Sequence, residues 1–290
     1  MRLNPIVKKE LKVSSRSMKL CWGLFAYEAV LVMVFLLVLS IMEAAQGYLY
    51  DDENVYTYLI YLYPVIGIMQ LGIIAMIMPI ITASSISGER ERQTFDIMLT
   101  TCMSPFSIVW GKLLTAILQI LLYVVASLPI MGLSFVIGGL EWHNLLIYFL
   151  TVVIVAFFSG SIGIYCSSIC RKSITAIVLS FVFYVGIYGM TFFPMLVRAI
   201  FGTDTMGESA LVLLFNPGVL IEEVFVLSMG EESIFTGNNI NSTDAGVLTY
   251  ILIRLNIWPW ISAICIIILG LAFMLLATGR INPMRTGKKK

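Results

Sequence analysis

The stretch Ser87–Leu114, SGERERQTFDIMLTTCMSPFSIVWGKLL, decides how the chain is read. Four alternating charges, Glu89, Arg90, Glu91 and Arg92, open it, and an apolar run closes it. On both sides lie long hydrophobic segments. A charged, amphipathic stretch between two such segments needs something polar, or another protein, to touch.

The rest of the chain makes lipid the solvent. Of its 290 residues, 59% are hydrophobic and 12% charged, more apolar surface than a water-soluble domain of this length can hide. The net charge of +1 gives no reason to expect a nucleic-acid partner. A membrane-crossing helix needs about 20 apolar residues. Six segments qualify: Cys21–Ile41, Tyr58–Ser84, Phe106–Ile137, Leu145–Ile169, Ser173–Ile200 and Leu255–Thr278. None shows the two-residue alternation of a barrel strand, so the expected class is an all-α integral membrane protein forming a single transmembrane domain over residues 1–290.

Lys and Arg set the orientation. They cluster before the first segment (Arg2, Lys8, Lys9, Lys12, Arg16, Lys19) and around the second connection (Arg90, Arg92, Lys112). They recur at Arg171 and Lys172 and in the tail, residues 279–290, leaving only Arg198 and Arg254 for the other side. The positive-inside rule then puts both termini in the cytoplasm. Leu211–Leu227, LVLLFNPGVLIEEVFVL, tempts a seventh crossing, but Asn216-Pro217-Gly218 interrupts it and Glu222-Glu223 follows at once. Residues 201–254 are expected to be an outer loop holding a hairpin of two short helices before the sixth span.

The first 20 residues predict a helix on the inner surface. Asn4 caps it, Pro5 suits its first position, and Leu3, Val7, Leu11 and Met18 share a face opposite the lysines. The basic flank is too long for a cleaved signal, so the first span is expected to be retained. Cys21, Cys102, Cys166, Cys170 and Cys265 are scattered and suggest buried thiols, with no disulfide framework.

If a helix begins near Ser87, then Phe95, Met98, Leu99 and Cys102 make one apolar stripe, and Pro105 ends it. Such a helix can lie on lipid or dock into a protein groove. Its charges are balanced, so headgroup attraction is weak and a groove is favoured.

The run resembles the signature of permease subunits of type-2 ABC exporters. Gly88, Glu89, Arg90, Glu91, Thr94, Met98, Leu99, Thr100, Gly111, Lys112 and Leu113 carry the match. Gln93 stands where the family usually has Gly, Cys102 where Pro is common, and Ser107 where an acid is frequent. The six spans, the inner helix and Asn216-Pro217 in the outer loop extend the likeness. The resemblance implies that residues 87–104 form a coupling helix seated in a separate ABC ATPase. There Phe95, Met98 and Leu99 would be the anchors, and Glu89, Arg90, Glu91 and Arg92 would set orientation. It further implies a second permease subunit, identical or related, membrane lipid around both, and a plasma-membrane location in a bacterial cell. No G-x-x-x-x-G-K-[ST] loop occurs, so ATP and Mg would bind the partner and this chain would hold no cofactor of its own.

Four polar residues within spans are candidates to line a pathway: Glu28, Gln70, Thr82 and Thr175. Gln70, Thr82 and Thr175 could instead make helix–helix hydrogen bonds, and Glu28, near the cytoplasmic end of its span, could instead reach a Lys, an Arg or an amide. Small residues at Ser159-Gly160-Ser161 and Gly163, and at Gly186 and Gly189, predict close helix approach, within one subunit or between two.

Two rivals stay open. One is a six-span scaffold or assembly factor without an ATPase. The other is a membrane-embedded enzyme, which has little to build on. His143 is the sole histidine, Gly207-Glu208-Ser209-Ala210 lies in the outer loop, and Glu222-Glu223 has no histidine beside it in a span.

Overall fold

A computed structural model describes residues 5–46, 62–95, 104–137, 142–201, 207–230, 252 and 257–281, and these are all-helical apart from short turns. The helices are α1 (Pro5–Ser15), α2 (Met18–Gln46), α3 (Leu62–Glu91), α4 (Pro105–Ala126), α5 (Leu128–Ile137), α6 (Trp142–Ile169), α7 (Ser173–Phe201), α8 (Pro217–Met229) and α9 (Trp258–Ile281). A 3-10 segment, Gly207–Phe215, precedes α8. Six of the helices, α2, α3, α4, α6, α7 and α9, are long and apolar enough to cross a membrane. Their number is the six expected, and the protein is a multi-pass membrane protein.

The bundle is built around α6. Helices α3, α4, α7 and α9 all pack on it, α3 most extensively. Small residues on α6 make this closeness possible. A methyl group on Gly163 would land on Thr82 Oγ1 of α3, and one on Gly160 would lie 2.7 Å from both Met78 and Leu113. Ser167 Oγ, one turn further on, accepts from the backbone N–H groups of Ile86 (3.0 Å) and Ser87 (2.9 Å). The small-residue run therefore works within one chain. Gly186 and Gly189 of α7 differ, because among the described residues nothing lies within 4 Å of the place where a methyl would sit.

The third apolar run is two helices, not one. Pro129, in the first turn of α5, has no N–H to donate, and its ring cannot follow an unbroken turn. The break falls at the buried Ser127, whose hydroxyl donates to Val124 O (3.0 Å) and accepts from Gln70 Nε2 (2.7 Å). A side chain from α3 thus pairs with the hydroxyl buried at the break, as an apolar setting requires.

At the end away from α1, Asn216 caps α8 through Gly218 N (2.8 Å), with Pro217 at the first position. Asn216 Nδ2 also donates to Thr191 Oγ1 of α7 at 2.8 Å. Gly230 ends α8 in the left-handed conformation (φ 70°). The Asn-Pro-Gly interruption is therefore a helix start. The expected pair of short helices is a 3-10 segment followed by α8, whose Phe225 packs on Tyr63 and Tyr148. Helix α2 is the most loosely held span, with Trp22, Phe25, Met33 and Leu36 on the outside.

Candidate functional site

The charged motif lies on the last turn of α3. That helix has 30 residues, about 45 Å at 1.5 Å per residue, against a hydrocarbon core of about 30 Å. The helix is therefore longer than the apolar layer is thick. The expectation that Ser87 begins a separate helix is corrected here: Gly88–Glu91 continue the span, and the chain turns only at Gln93. Thr94 N donates to Glu89 O (2.9 Å), Gln93 N donates to Arg90 O (3.1 Å), and Gln93 has φ 59°. This pair of bonds around a left-handed residue is a Schellman motif, in which glycine is the usual occupant. It gives a reason for the glycine seen at this place in the resembled signature.

Successive residues on a helix point about 100° apart. Glu89, Arg90 and Glu91 accordingly reach three different neighbours. Glu89 Oε1 accepts from Lys112 Nζ of α4 at 2.8 Å. Arg90 Nη1 donates to Ser168 O (2.7 Å) and Cys170 O (3.4 Å), covering carbonyls that end α6. Glu91 Oε2 accepts from Ser173 N (3.2 Å) and Ser173 Oγ (2.8 Å), capping α7. Arg92 is exposed. The end of α3 is thereby tied to α4, α6 and α7 through three consecutive side chains.

Lys112 is the hub that sequence reasoning missed. It is 3% exposed, and its three N–H groups go to Glu89 Oε1, Glu10 Oε1 of α1 (3.1 Å) and Ser85 O of α3 (2.9 Å). One ammonium thus holds three helices together. The available signal was a lone cation in an apolar helix, which needs carboxylate partners. A second tie, Gln119 Nε2 donating to Ser14 Oγ at 2.8 Å, fastens α1 along α4. On α1, Val7 is buried and Leu11 half-buried, while Lys8, Lys9 and Lys12 are exposed, as are Arg16 just after it and Met18 at the start of α2. Leu3 lies outside the described residues.

Phe95 differs from its expected role as a free anchor. It is 7% exposed, packs with the chain's own core, and carries the Arg90 guanidinium 4.9 Å from its ring centre. Met98, Leu99 and Cys102 lie outside the described residues.

The four pathway candidates do not converge. Gln70 and Thr82 are about 18 Å apart along α3. Gln70 bonds Ser127, and Thr82 bonds Met78 O (2.8 Å) while filling the Gly163 notch. Thr175 is exposed on α7 and bonds Lys172 O of its own helix at 2.8 Å. Glu28 has one shielded oxygen, Oε1, with no hydrogen-bond partner among the described residues. Among those residues no group of His, Cys, Asp and Glu is placed to hold a metal ion.

Between α1, α3 and α4 lies a cleft of about 1090 Å³. Lys9, Glu10, Glu89, Arg92 and Lys112 line it, along with the hydroxyls of Ser14, Ser84, Ser85 and Thr115. Leu20, Ile81, Ala116 and Tyr123 line it as well.

A long apolar helix ending in Gly-Glu-Arg-Glu and braced against the Gly-Lys-Leu of the next span is the geometry on which the comparison with known families bears. The sequence model of the ABC-2 type transporter family matches residues 3–197, from α1 through most of α7. The chain belongs to the ABC-2 type transporter family. No curated protein matches it. As an ABC-2 permease it is a membrane component of an ABC transporter, and the matched region contains the whole Lys112 hub.

Proposed function

We propose that this permease is the membrane-spanning subunit of an ATP-driven exporter, moved by separate ABC ATPase subunits that bind ATP and Mg. The basic end faces the cytoplasm, and two permeases, identical or related, enclose the pathway. The observation that carries this reading is the bracing of one helix end. Glu89, Arg90 and Glu91 tie α3 to α4, α6 and α7, and Lys112 adds α1. A push on the segment after Gln93 therefore reaches four helices at once. Transport needs two packings that differ by only a few kcal/mol, so that nucleotide binding in the partner can select between them.

Within this reading Phe95 positions the docking segment through Arg90, and Met98 and Leu99 enter the ATPase cleft. The test is a tagged permease purified with its ATPase. Met98→Asp with Leu99→Asp is expected to leave the permease in the membrane and remove ATPase activity from the eluate. Retention of that activity would overturn the assignment, and a wild-type particle with no ATPase would favour the scaffold reading.

A further inference from the structure

The cleft beside the Lys112 hub has the anatomy of an amphiphile site. We infer that it holds the headgroup of an inner-leaflet phospholipid that carries an N–H donor as well as a phosphate, an ethanolamine-type head. This rests on the permease reading, which places this end of the chain at the inner leaflet.

Three observations converge. The first is polarity along the cleft. From Arg92 to Ile81 on α3, and from Lys112 to Tyr123 on α4, it runs about 16 Å along the helices. The charged residues Lys9, Glu10, Glu89, Glu91, Arg92 and Lys112 lie toward one end, and Leu20, Ile81 and Tyr123 at the other. Head and first acyl carbons are matched in that order.

The second is the charge pattern. Lys9 of α1 and Arg92, in the turn after α3, are exposed cations lining the cleft, and a phosphate is the group they suit. Glu89 supplies the opposite requirement. Its Oε1 is taken by Lys112, whereas its Oε2 is shielded from solvent and has no hydrogen-bond partner among the described residues. A shielded carboxylate oxygen without a donor is costly, and a primary ammonium satisfies it. A trimethylammonium head has no N–H and cannot.

The third is access. Helix α2 begins at the apolar end of the cleft, where Leu20 lies, and is the least packed span. An acyl tail can leave there into the bilayer while the head stays seated.

The experiment uses the full-length permease in detergent, without ATPase. Short-chain phosphatidylethanolamine and phosphatidylcholine are titrated, and bound lipid is read by native mass spectrometry. The ethanolamine lipid should bind about tenfold more tightly, the worth of one charge-assisted hydrogen bond. Lys9→Gln with Arg92→Gln should weaken both lipids, while Lys8→Gln with Arg16→Gln, two exposed positions on and just after α1 that do not line the cleft, should weaken neither. Gly88→Leu fills the cleft at a position where the first added carbon meets only Ser173 Oγ, at 3.5 Å, and should abolish binding in a folded protein. Equal binding of the two lipids, or undiminished binding to the Gly88→Leu protein, overturns the inference. Displacement by millimolar inorganic phosphate would also overturn it, in favour of a soluble anion. Because no ATPase is present, a negative result leaves the permease reading standing; that reading falls only if the native particle lacks ATPase.

Discussion

Lys112 Nζ lies 2.8 Å from Glu89 Oε1 and 3.1 Å from Glu10 Oε1, so one buried ammonium bridges the end of the second span and the N-terminal helix. The lysine is almost fully enclosed, whereas the carboxylates keep 29% and 28% of their side chains exposed. Glu10 can fall back on water if the bridge is lost, whereas Glu89, whose Oε2 is shielded from solvent, depends on the lysine for compensation.

The first prediction follows from that asymmetry. Lys112→Met leaves two carboxylates facing each other beside Ser85 O and should cost about 3 kcal/mol, the low end for breaking a buried pair. Glu10→Gln should cost under about 1 kcal/mol, as for a half-exposed ion pair. Thermal midpoints in detergent measure both. Equal losses would mean that Lys112 is held by packing alone.

Gln93 supports a second prediction. A side chain at φ 59° crowds its own carbonyl, at a cost of roughly 1 kcal/mol that glycine avoids. Gln93→Gly should raise the unfolding free energy by about that amount, and Gln93→Val should lower it by more, because a β-branched residue fits this region worst. Thermal midpoints again decide. A destabilised Gln93→Gly protein would show that the turn is not left-handed in solution.

The same residue marks where sequence reading stopped. Span number and the charged motif were legible because hydropathy and charge are local properties. The end of α3 was not, since a helix stop is read from Gly or Asn and here the left-handed position holds Gln. The partners of Glu89, Arg90 and Glu91 were hidden for another reason. They sit 23, 78 and 82 residues away, and a run of alternating charges looks self-paired. Phe95 and Met98 fitted one stripe by spacing, but spacing cannot reveal that the chain turns between Arg92 and Phe95 and folds the ring back beneath Arg90. The Gly160–Gly163 notch was legible as a place of close approach, but its partner Thr82 was singled out for a pathway instead.

The third prediction contrasts two kinds of glycine. Gly163→Ala would drive a methyl onto Thr82 Oγ1 and to 3.1 Å from Pro79 O, a backbone atom that cannot swing aside. Overpacking at such a contact costs about 1–3 kcal/mol. Adding Thr82→Ala should recover only part of that, because the Pro79 contact remains. Gly186→Ala and Gly189→Ala enter open space on α7, where none of the described residues is an obstacle. For a lone permease each should stabilise the helix by about 0.5–1 kcal/mol. These two substitutions also read the assembly. Val182, Val185 and Met190 are exposed on the same stretch of α7, so a second permease packed there would meet the new methyl groups. If Gly186→Ala stabilises the detergent-isolated monomer yet splits the assembled particle on sizing, the face is an interface between copies. If it stabilises both, that face of α7 looks into lipid.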